Sequence, residues 1–337
     1  MKKTALFLCL LLLPVYAFAS QLQNAQPYSE PLYTALLRYD SPIYKTEALE
    51  ERAGFLAAGK RVDIYGITPS RLLIGREGAV LGFIKRDKLD DFTVENLQPE
   101  NIPNYPGVQN TAIVYVSEDT SVRESPNSSS NSLIELKPGC RLALIGFQDG
   151  WGKLIFKKQY GYVDSRHLGK KIPVDYLSKD PGTEYPIAAY TSFYKITDNK
   201  DNLNRIENLK VSCGKFEDIV LNPGDRFDFN KLFGPYNASS GYKPAIILAD
   251  GKSVLGYGGG TCQISSTLYN VLLQLPGINV DHRRPHGPSG ASYLPHGADA
   301  AVGNKTQNLI FTNNYPFPIH IDGTVQDGAL TIAIYRY

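Results

Sequence analysis

Long apolar runs are scarce in this chain of 337 residues. Beyond the N-terminus no segment approaches the roughly 20 apolar residues that a spanning helix needs, so no transmembrane segment is expected in the mature chain. A charge excess is also missing. Lys plus Arg number 35 against 33 Asp plus Glu. Loss of Lys2 and Lys3 with the leader described next leaves 33 of each sign. A balanced chain has no electrostatic footprint for nucleic acid, and no nucleic-acid partner is expected. Tryptophan occurs once, and cysteine is sparse at four. Cys9 falls in the leader and lacks the small residues a lipidation signal places before its cysteine, leaving Cys140, Cys213 and Cys262. In an oxidising compartment this odd count leaves at least one thiol free or shared between chains. A Cys140–Cys213 bridge would spare Cys262, but spacing alone does not supply the geometry.

The leader reads clearly. Lys2 and Lys3 precede the apolar run Ala5 to Leu13, and Ala17-Phe18-Ala19 stands before Ser20. This is the pattern of a secretory signal peptide, residues 1–19, which predicts export to a periplasmic or extracellular location. The remaining length suits two or three domains at roughly 100–150 residues each. Tyrosine is abundant, at 22, which suits β-rich architecture and polar-ligand surfaces.

An internal echo organises the first half. Gly59-Lys60-Arg61-Val62-Asp63-Ile64-Tyr65-Gly66 is answered by Gly139-Cys140-Arg141-Leu142-Ala143-Leu144-Ile145-Gly146. Each phrase precedes an apolar strand, Arg71 to Ile74 and Gly152 to Phe156, and each unit closes alike, at Gly82-Phe83-Ile84 and Gly161-Tyr162-Val163. Short alternating strands with glycine turns predict two small all-β barrels, 30–90 and 111–169, with linkers at 91–110 and 170–186. The second unit resembles bacterial SH3-like domains through Val122-Arg123, Leu136-Lys137-Pro138-Gly139 and Asp149-Gly150-Trp151-Gly152-Lys153. The first lacks the tryptophan and matches less fully. The resemblance implies binding of cell-wall peptide or glycan, or positioning of a neighbouring catalytic domain. Trp151 itself reads as a half-buried packing residue.

Residues 187–337 have a different texture. Strands are predicted near Ala188–Tyr194, Ala245–Leu248, Ile278–His282, Ala300–Val302, Leu309–Thr312, Ile319–Ile321 and Leu330–Tyr335. A helix from Leu203 to Cys213 places Ile206, Leu209 and Cys213 on one side. A second follows Gly258-Gly259-Gly260 with Ile264, Leu268, Val271, Leu272 and Leu275 at helical spacing, ended by Pro276-Gly277. Strict β/α alternation is absent, so the domain is expected to be α+β rather than doubly wound. The whole is thus expected to be multidomain, two β barrels followed by an α+β domain.

This last unit resembles the VanW family, from roughly Thr191 to Tyr337. The resemblance is carried by Asn204-Arg205-Ile206-Glu207-Asn208, by Asn222-Pro223-Gly224-Asp225-Arg226-Phe227-Asp228-Phe229-Asn230, and by Gly241-Tyr242. It continues in Gly258-Gly259-Gly260-Thr261-Cys262-Gln263 with Ser265-Ser266-Thr267-Leu268-Tyr269-Asn270, then Arg283-Arg284-Pro285-His286, Gly297-Ala298-Asp299-Ala300 and Leu309-Ile310-Phe311-Thr312-Asn313-Asn314. The family brings little mechanism with it, and the chemistry must be read from residues.

Cys262 falls in the first turn of a helix behind three glycines, where unpaired amides and the helix dipole favour an anion, either a thiolate or a ligand. His282, His286, His296 and His320 follow within 39 residues. One reading makes Cys262 a nucleophile, His286 its base and Asp299 the group that orients the histidine, with loop amides as an oxyanion site. The order of cysteine on a helix and histidine on a later strand is also that of papain-like and NlpC-type peptidases, by analogy only. The reaction would be acyl transfer on a peptidoglycan stem peptide, by hydrolysis or transpeptidation. His296 stands where the family pattern more usually has proline or an apolar residue, so His286 is the expected partner. A second reading is a non-catalytic module. There Gly258, Gly259, Gly260, Thr261 and Gln263 hold a stem-peptide carboxylate, supplemented by Tyr242, Tyr257 and Arg284. A third gives Cys262, His282 and His286 to zinc, but Pro285 argues against the helix that the His-x-x-x-His spacing suits. Against all three stands a packing role, with the glycines serving backbone geometry and Cys262 buried as a small side chain. No cofactor or resident metal is expected, the partner is expected to be peptidoglycan or stem peptides, and oligomeric state is not determined.

Overall fold

The computed structural model describes residues 30–31, 33–67, 71–90, 93–97, 108–175, 184–249, 252–286, 291–295 and 298–337. The leader (1–19), His296 and Gly297 lie outside these residues. Among the described residues the chain is mostly β, in several sheets, with its α-helices in the C-terminal part.

Short glycine-punctuated strands build the first unit. β1 (Tyr33–Leu36), β2 (Ser41–Tyr44), β3 (Arg52–Leu56), β4 (Arg61–Ile67), β5 (Arg71–Arg76), β6 (Ala79–Lys85) and β7 (Glu95–Asn96) form an antiparallel sheet in the order β3-β2-β6-β5-β4-β1-β7. Tyr33, Ile64, Leu72, Ile74 and Ile84 fill its core. β7 lies inside the stretch read as linker at 91–110, and it adds to the edge of β1 through Tyr33 and Thr34.

The second unit has two sheets. β9 (Thr120–Arg123), β10 (Ser132–Leu136), β12 (Gly146–Gln148), β13 (Trp151–Phe156) and β14 (Gln159–Asp164) make one. β8 (Ala112–Val116), β11 (Arg141–Leu144) and β15 (Leu168–Pro173) make the other. Val114, Val122, Leu142, Leu154 and Val163 close the core between them. Trp151 is half-buried at the start of β13. The reading of 170–186 as linker needs correction at its start, because Lys171, Ile172 and Pro173 pair with β8.

The C-terminal domain packs helices on an antiparallel sheet. β16 (Pro186–Phe193), β24 (Ala329–Arg336), β23 (Ile319–Gln326) and β17 (Val220–Leu221) are hydrogen-bonded in that order. Helix α1 (Lys200–Gly214) begins three residues earlier than the periodicity suggests, because the Asn199 side chain accepts from the Asp201 amide at 2.8 Å. Such a cap contributes about 1 kcal/mol. A one-turn helix, α2 (Phe229–Phe233), follows β18 (Arg226–Asp228). β19 (Pro244–Ala249) and β20 (Lys252–Tyr257) form a separate hairpin, whose second strand the sequence reading missed. Helix α3 (Thr261–Leu272) is buried on nearly every side and lies against β16 and β24. β21 (Ile278–Arg283) and β22 (Leu309–Asn313) join β18 in a further sheet. The expected strand Ala300–Val302 does not form. The backbone groups of Ala300 and Val302 meet side chains of α3 instead, and the Ala301 amide donates to Arg284 O.

The second unit is attached face to face to this domain. The buried Arg141 guanidinium pairs with Asp322 and donates to Tyr335 Oη at 2.7 Å. The Ala143 amide donates to Thr191 Oγ1 at 2.8 Å, which shares a 2.7 Å bond with Thr331 Oγ1. Phe156 meets Phe193 with ring centroids 4.9 Å apart. Cys140, Cys213 and Cys262 are all free thiols.

Candidate functional site

The glycine loop enters helix α3 under tight constraint. A Cβ on Gly259 would stand 2.7 Å from the Ile246 carbonyl oxygen and 2.9 Å from Ala245 Cβ, so only glycine fits against β19. Gly260 caps the helix with φ +108°, a left-handed conformation that side chains disfavour. Asn208 of α1 is fully buried and holds this loop. Its Nδ2 donates to the Gly259 and Lys243 carbonyls, each at 3.0 Å.

The first-turn amides are not equivalent. Thr261 N–H donates to Gly258 O at 3.0 Å and Gln263 N–H to Gly260 O at 2.8 Å. Among the described residues the Cys262 N–H has no acceptor. It is one of the donors that a helix start leaves over, and it lies beside its own Sγ.

Residues 298–302 run past the same helix end. Ser265 Oγ donates to Ala300 O at 2.6 Å, and Ser266 Oγ accepts from Ala300 N at 2.9 Å. Asn270 Nδ2 donates to Ala298 O at 2.7 Å. Val302 N–H points at Cys262 Sγ at 3.5 Å, and Sγ lies 3.5 Å from Val302 O. Polar side chains on α3 and the Arg284 carbonyl, which accepts from Ala301 N–H at 2.7 Å, thus take the place of a strand ladder here.

That segment presents Asp299, and β21 leads to His286. Asp299 is 1 % exposed. Its Oδ2 accepts from His286 Nδ1 at 2.6 Å and from the His286 amide at 2.7 Å. Arg283, with its side chain 5 % exposed, donates from Nε to Asp299 O at 2.6 Å and lies 3.3 Å from Oδ1. Burial pushes the Asp299 carboxyl up, but the bonds from His286 and the Arg283 charge outweigh it, and its pKa is lowered. His286 is affected in the opposite sense. Burial disfavours the imidazolium, yet the bonds to Asp299 and Cys262, with their charges, carry its pKa from 6.5 up to about 9. With Nδ1 committed to Asp299, Nε2 is left for Cys262. The three residues named from sequence therefore come together in one chain, Cys262 to His286 to Asp299.

Other expectations need correction. Tyr242 does not line the site, since it is buried and its hydroxyl donates to Phe233 O at 2.9 Å. Gln263 faces inward, with Nε2 donating to Ser192 Oγ at 2.9 Å and Phe193 O at 3.2 Å. Thr261 Oγ1 closes on Gly258 O at 2.9 Å. Gly258, Gly259 and Gly260 shape the loop. The Arg284 side chain is exposed, and it is Arg283 that reaches Asp299. His282 Nε2 lies 3.4 Å from Thr306 O, and His320 Nε2 lies 3.3 Å from Glu217 O. Among the described residues no three His, Cys, Asp or Glu side chains are grouped to hold a metal ion.

Sequence reading missed Arg205, Arg283, Tyr236 and Tyr293. Burial raises the Tyr293 hydroxyl pKa, the Cys262 charge raises it further, and a bond to Ser266 opposes both. A pocket of about 520 Å³, lined by Asp228, Lys231, Tyr236, Gly303 and Lys305 among others, begins one residue beyond Val302. It does not include Cys262, His286 or Asp299.

Residues 204–335 match the family model described as VanW like protein. An uncharacterised Bacillus subtilis (strain 168) protein, YoaR, is 29 % identical over 218 residues, which is 63 % of this chain and 69 % of that one. The vancomycin B-type resistance protein VanW of Enterococcus faecalis (strain ATCC 700802 / V583) is 33 % identical over 128 residues. That match takes in 37 % of this chain and only 46 % of the Enterococcus protein's length. Among solved structures, NlpC1 from Trichomonas vaginalis aligns over 60 % of this chain and 58 % of its own, at 11 % identity and a TM-score of 0.19. A score that low establishes no common fold. No helix among the described residues is long and apolar enough to cross a membrane.

Proposed function

Residues 204–335 are a VanW-like domain, and on that premise we propose that this protein is exported and acts on peptidoglycan, with Cys262 as the nucleophile of an acyl transfer. The observation that carries the reading is the buried Asp299 carboxylate bonded to His286 at 2.6 Å, with Cys262 on the far side of the imidazole. A buried acid that fixes the ring and favours its protonated form is what a cysteine–histidine pair needs.

The steps follow from the atoms. The Cys262 proton passes to His286 Nε2, and Sγ attacks the acyl carbon of a stem peptide. Negative charge develops on the acyl oxygen beside the unused Cys262 N–H, which donates to it. The C–N bond breaks as Nε2 returns the proton to the leaving amine, giving a thioester at Cys262. Water releases the acyl group as an acid in hydrolysis, and an amine takes it in transpeptidation.

The two N-terminal β units are proposed to be SH3-like domains that bind or position the wall substrate. Support comes from their repeated glycine phrases and, in the second, from the contacts that hold it on the C-terminal domain. The leader at 1–19 supports a periplasmic or extracellular location.

A binding-only module is the second reading, favoured by the way Val302 N–H and C=O both approach Cys262 Sγ. Incubation of purified peptidoglycan with the protein, followed by muropeptide mass analysis, separates the two. Acyl transfer predicts new muropeptides that fall by at least about 1,000-fold in Cys262→Ser. Products that persist at full rate in that variant sink the cysteine mechanism. Muropeptide binding with no turnover in the unaltered protein establishes the binding module.

A further inference from the structure

We propose that Arg205 anchors a carboxylate of the substrate beside Cys262, so that the scissile bond lies near a free carboxylate such as the C-terminal end of a peptide. This deepens the acyl-transfer reading above and rests on it.

Buried arginines in this domain and its contacts come with their own acids. Arg141 has Asp322, and Arg283 has Asp299. Arg205, which is only partly buried, differs. Among the described residues no carboxylate forms an ion pair with it. Its side-chain bond runs from Nη2 to the neutral Gln263 Oε1 at 2.6 Å. An amide oxygen satisfies one of five N–H groups and leaves the charge uncompensated. Burial accordingly depresses the guanidinium pKa, against the nearby Tyr293, Asp201, Cys262 and Tyr194. Arg141, which has its acid, is raised despite burial.

The position is built rather than incidental. Gln263 is fixed by Ser192 and Phe193, so the acceptor of the Arg205 Nη2 bond is held from the core. A Cβ on Gly260 would stand 3.1 Å from Arg205 Cγ and 3.3 Å from Arg205 O. The third glycine of the loop therefore lets α1 bring Arg205 against the helix start that carries Cys262. Tyr293 lies within the fields of both Cys262 and Arg205. A rigid fork with unused donors matches the two oxygens of a carboxylate.

The test uses the full chain carrying Cys262→Ser, which prevents turnover, and two probes. These are diacetyl-Lys-D-Ala-D-Ala with a free C-terminal carboxylate and the same peptide as its C-terminal amide, compared by calorimetry. The acid is expected to bind about tenfold or more tighter than the amide, the scale of a charge-assisted pair. Arg205→Gln brings the ratio to about one with amide affinity unchanged, and Arg205→Lys, which keeps the charge without the fork, retains part of it. Equal affinities on the parent, no binding of the acid, or a ratio that survives Arg205→Gln each overturns the anchor. In chains that keep Cys262, its alkylation rate against pH is expected to move only modestly with Arg205→Gln, because the two groups lie in each other's field. A profile that moves while the acid-to-amide ratio stays fixed assigns Arg205 to the thiol and overturns the proposal. A protein that yields no new muropeptides yet keeps the ratio sinks the acyl-transfer reading and leaves the anchor standing.

Discussion

Replacing Asp299 by Asn removes one charge and keeps the shape, so it isolates what the buried carboxylate does. In the native protein Oδ2 accepts two bonds from His286, and the acid faces the buried Arg283. The rise of His286 from 6.5 to about 9, at about 1.4 kcal/mol for each tenfold, amounts to about 3 kcal/mol in favour of the imidazolium. That preference is shared between Asp299 and Cys262. Asp299→Asn is therefore expected to lower the His286 titration by about 1–2 pH units. It also removes the carboxylate charge that faces Arg283, whose Nε keeps its bond to the residue-299 carbonyl, and with the lost imidazolium pairing this costs about 3–5 kcal/mol of stability.

The pH dependence follows from the direction of each shift. A histidine whose pKa is raised by folding contributes stability in full below about 6.5, and loses it as pH climbs through about 9. Asp299, whose pKa is lowered, contributes above its ordinary 3.8 and loses that contribution as pH falls through its folded value. The stability gap between native protein and Asp299→Asn should thus be widest near pH 6 and shrink toward pH 10, leaving only the cost of the lost Arg283–Asp299 ion pair. Ring-proton NMR titration of the histidines reads the first quantity, and urea unfolding at several pH values reads the second. A native His286 that titrates in the ordinary histidine range refutes the reasoning, as does a variant in which it stays near 9. Muropeptide processing should fall by more than about 100-fold in the same variant, since the ring loses its orientation.

Two substitutions away from the triad test the packing that presents it. Gly260→Ala forces a side chain into φ +108° and against Arg205 Cγ, so a loss of about 1–3 kcal/mol is expected in thermal or urea unfolding; an unchanged melting temperature contradicts the close approach of α1. Arg141→Ala leaves Asp322 and Tyr335 without their buried partner at the junction between the second β unit and the C-terminal domain. Stability should drop by about 2–4 kcal/mol, discounted because Asp322 is partly exposed, and limited proteolysis should then cut between the two; a variant as resistant as the native protein shows that the junction does not depend on this pair.

The sequence by itself settled what depends on local pattern. Alternating apolar residues and glycine turns marked the β units. Helical spacing at Ile264, Leu268, Val271 and Leu272 marked the helix behind the glycines. The ordered phrases from Asn204 to Asn314 marked the VanW-like domain. Residue type and order also named Cys262, His286 and Asp299, because a cysteine at a helix start needs a base and the base an acid.

Tertiary structure decided what depends on partners distant in the chain. Tyr242 and Gln263 look like ligand contacts as residue types, but packing turned both inward. Ala300–Val302 has the apolar pattern of a strand, yet Ser265, Ser266 and Cys262 on the helix occupy its backbone groups. Arg283 and Arg284 are adjacent and chemically alike, and only the folded chain determined which one meets Asp299, Arg283 closing β21 while Arg284 lies exposed beyond it. Arg205 stood in a phrase of the family resemblance but gave no signal of this role, since the absence of an acid beside a partly buried guanidinium is a property of three-dimensional surroundings. Local sequence fixes the chemistry a side chain has available, and the charges and unfilled hydrogen bonds around it in the folded chain fix whether that chemistry is used.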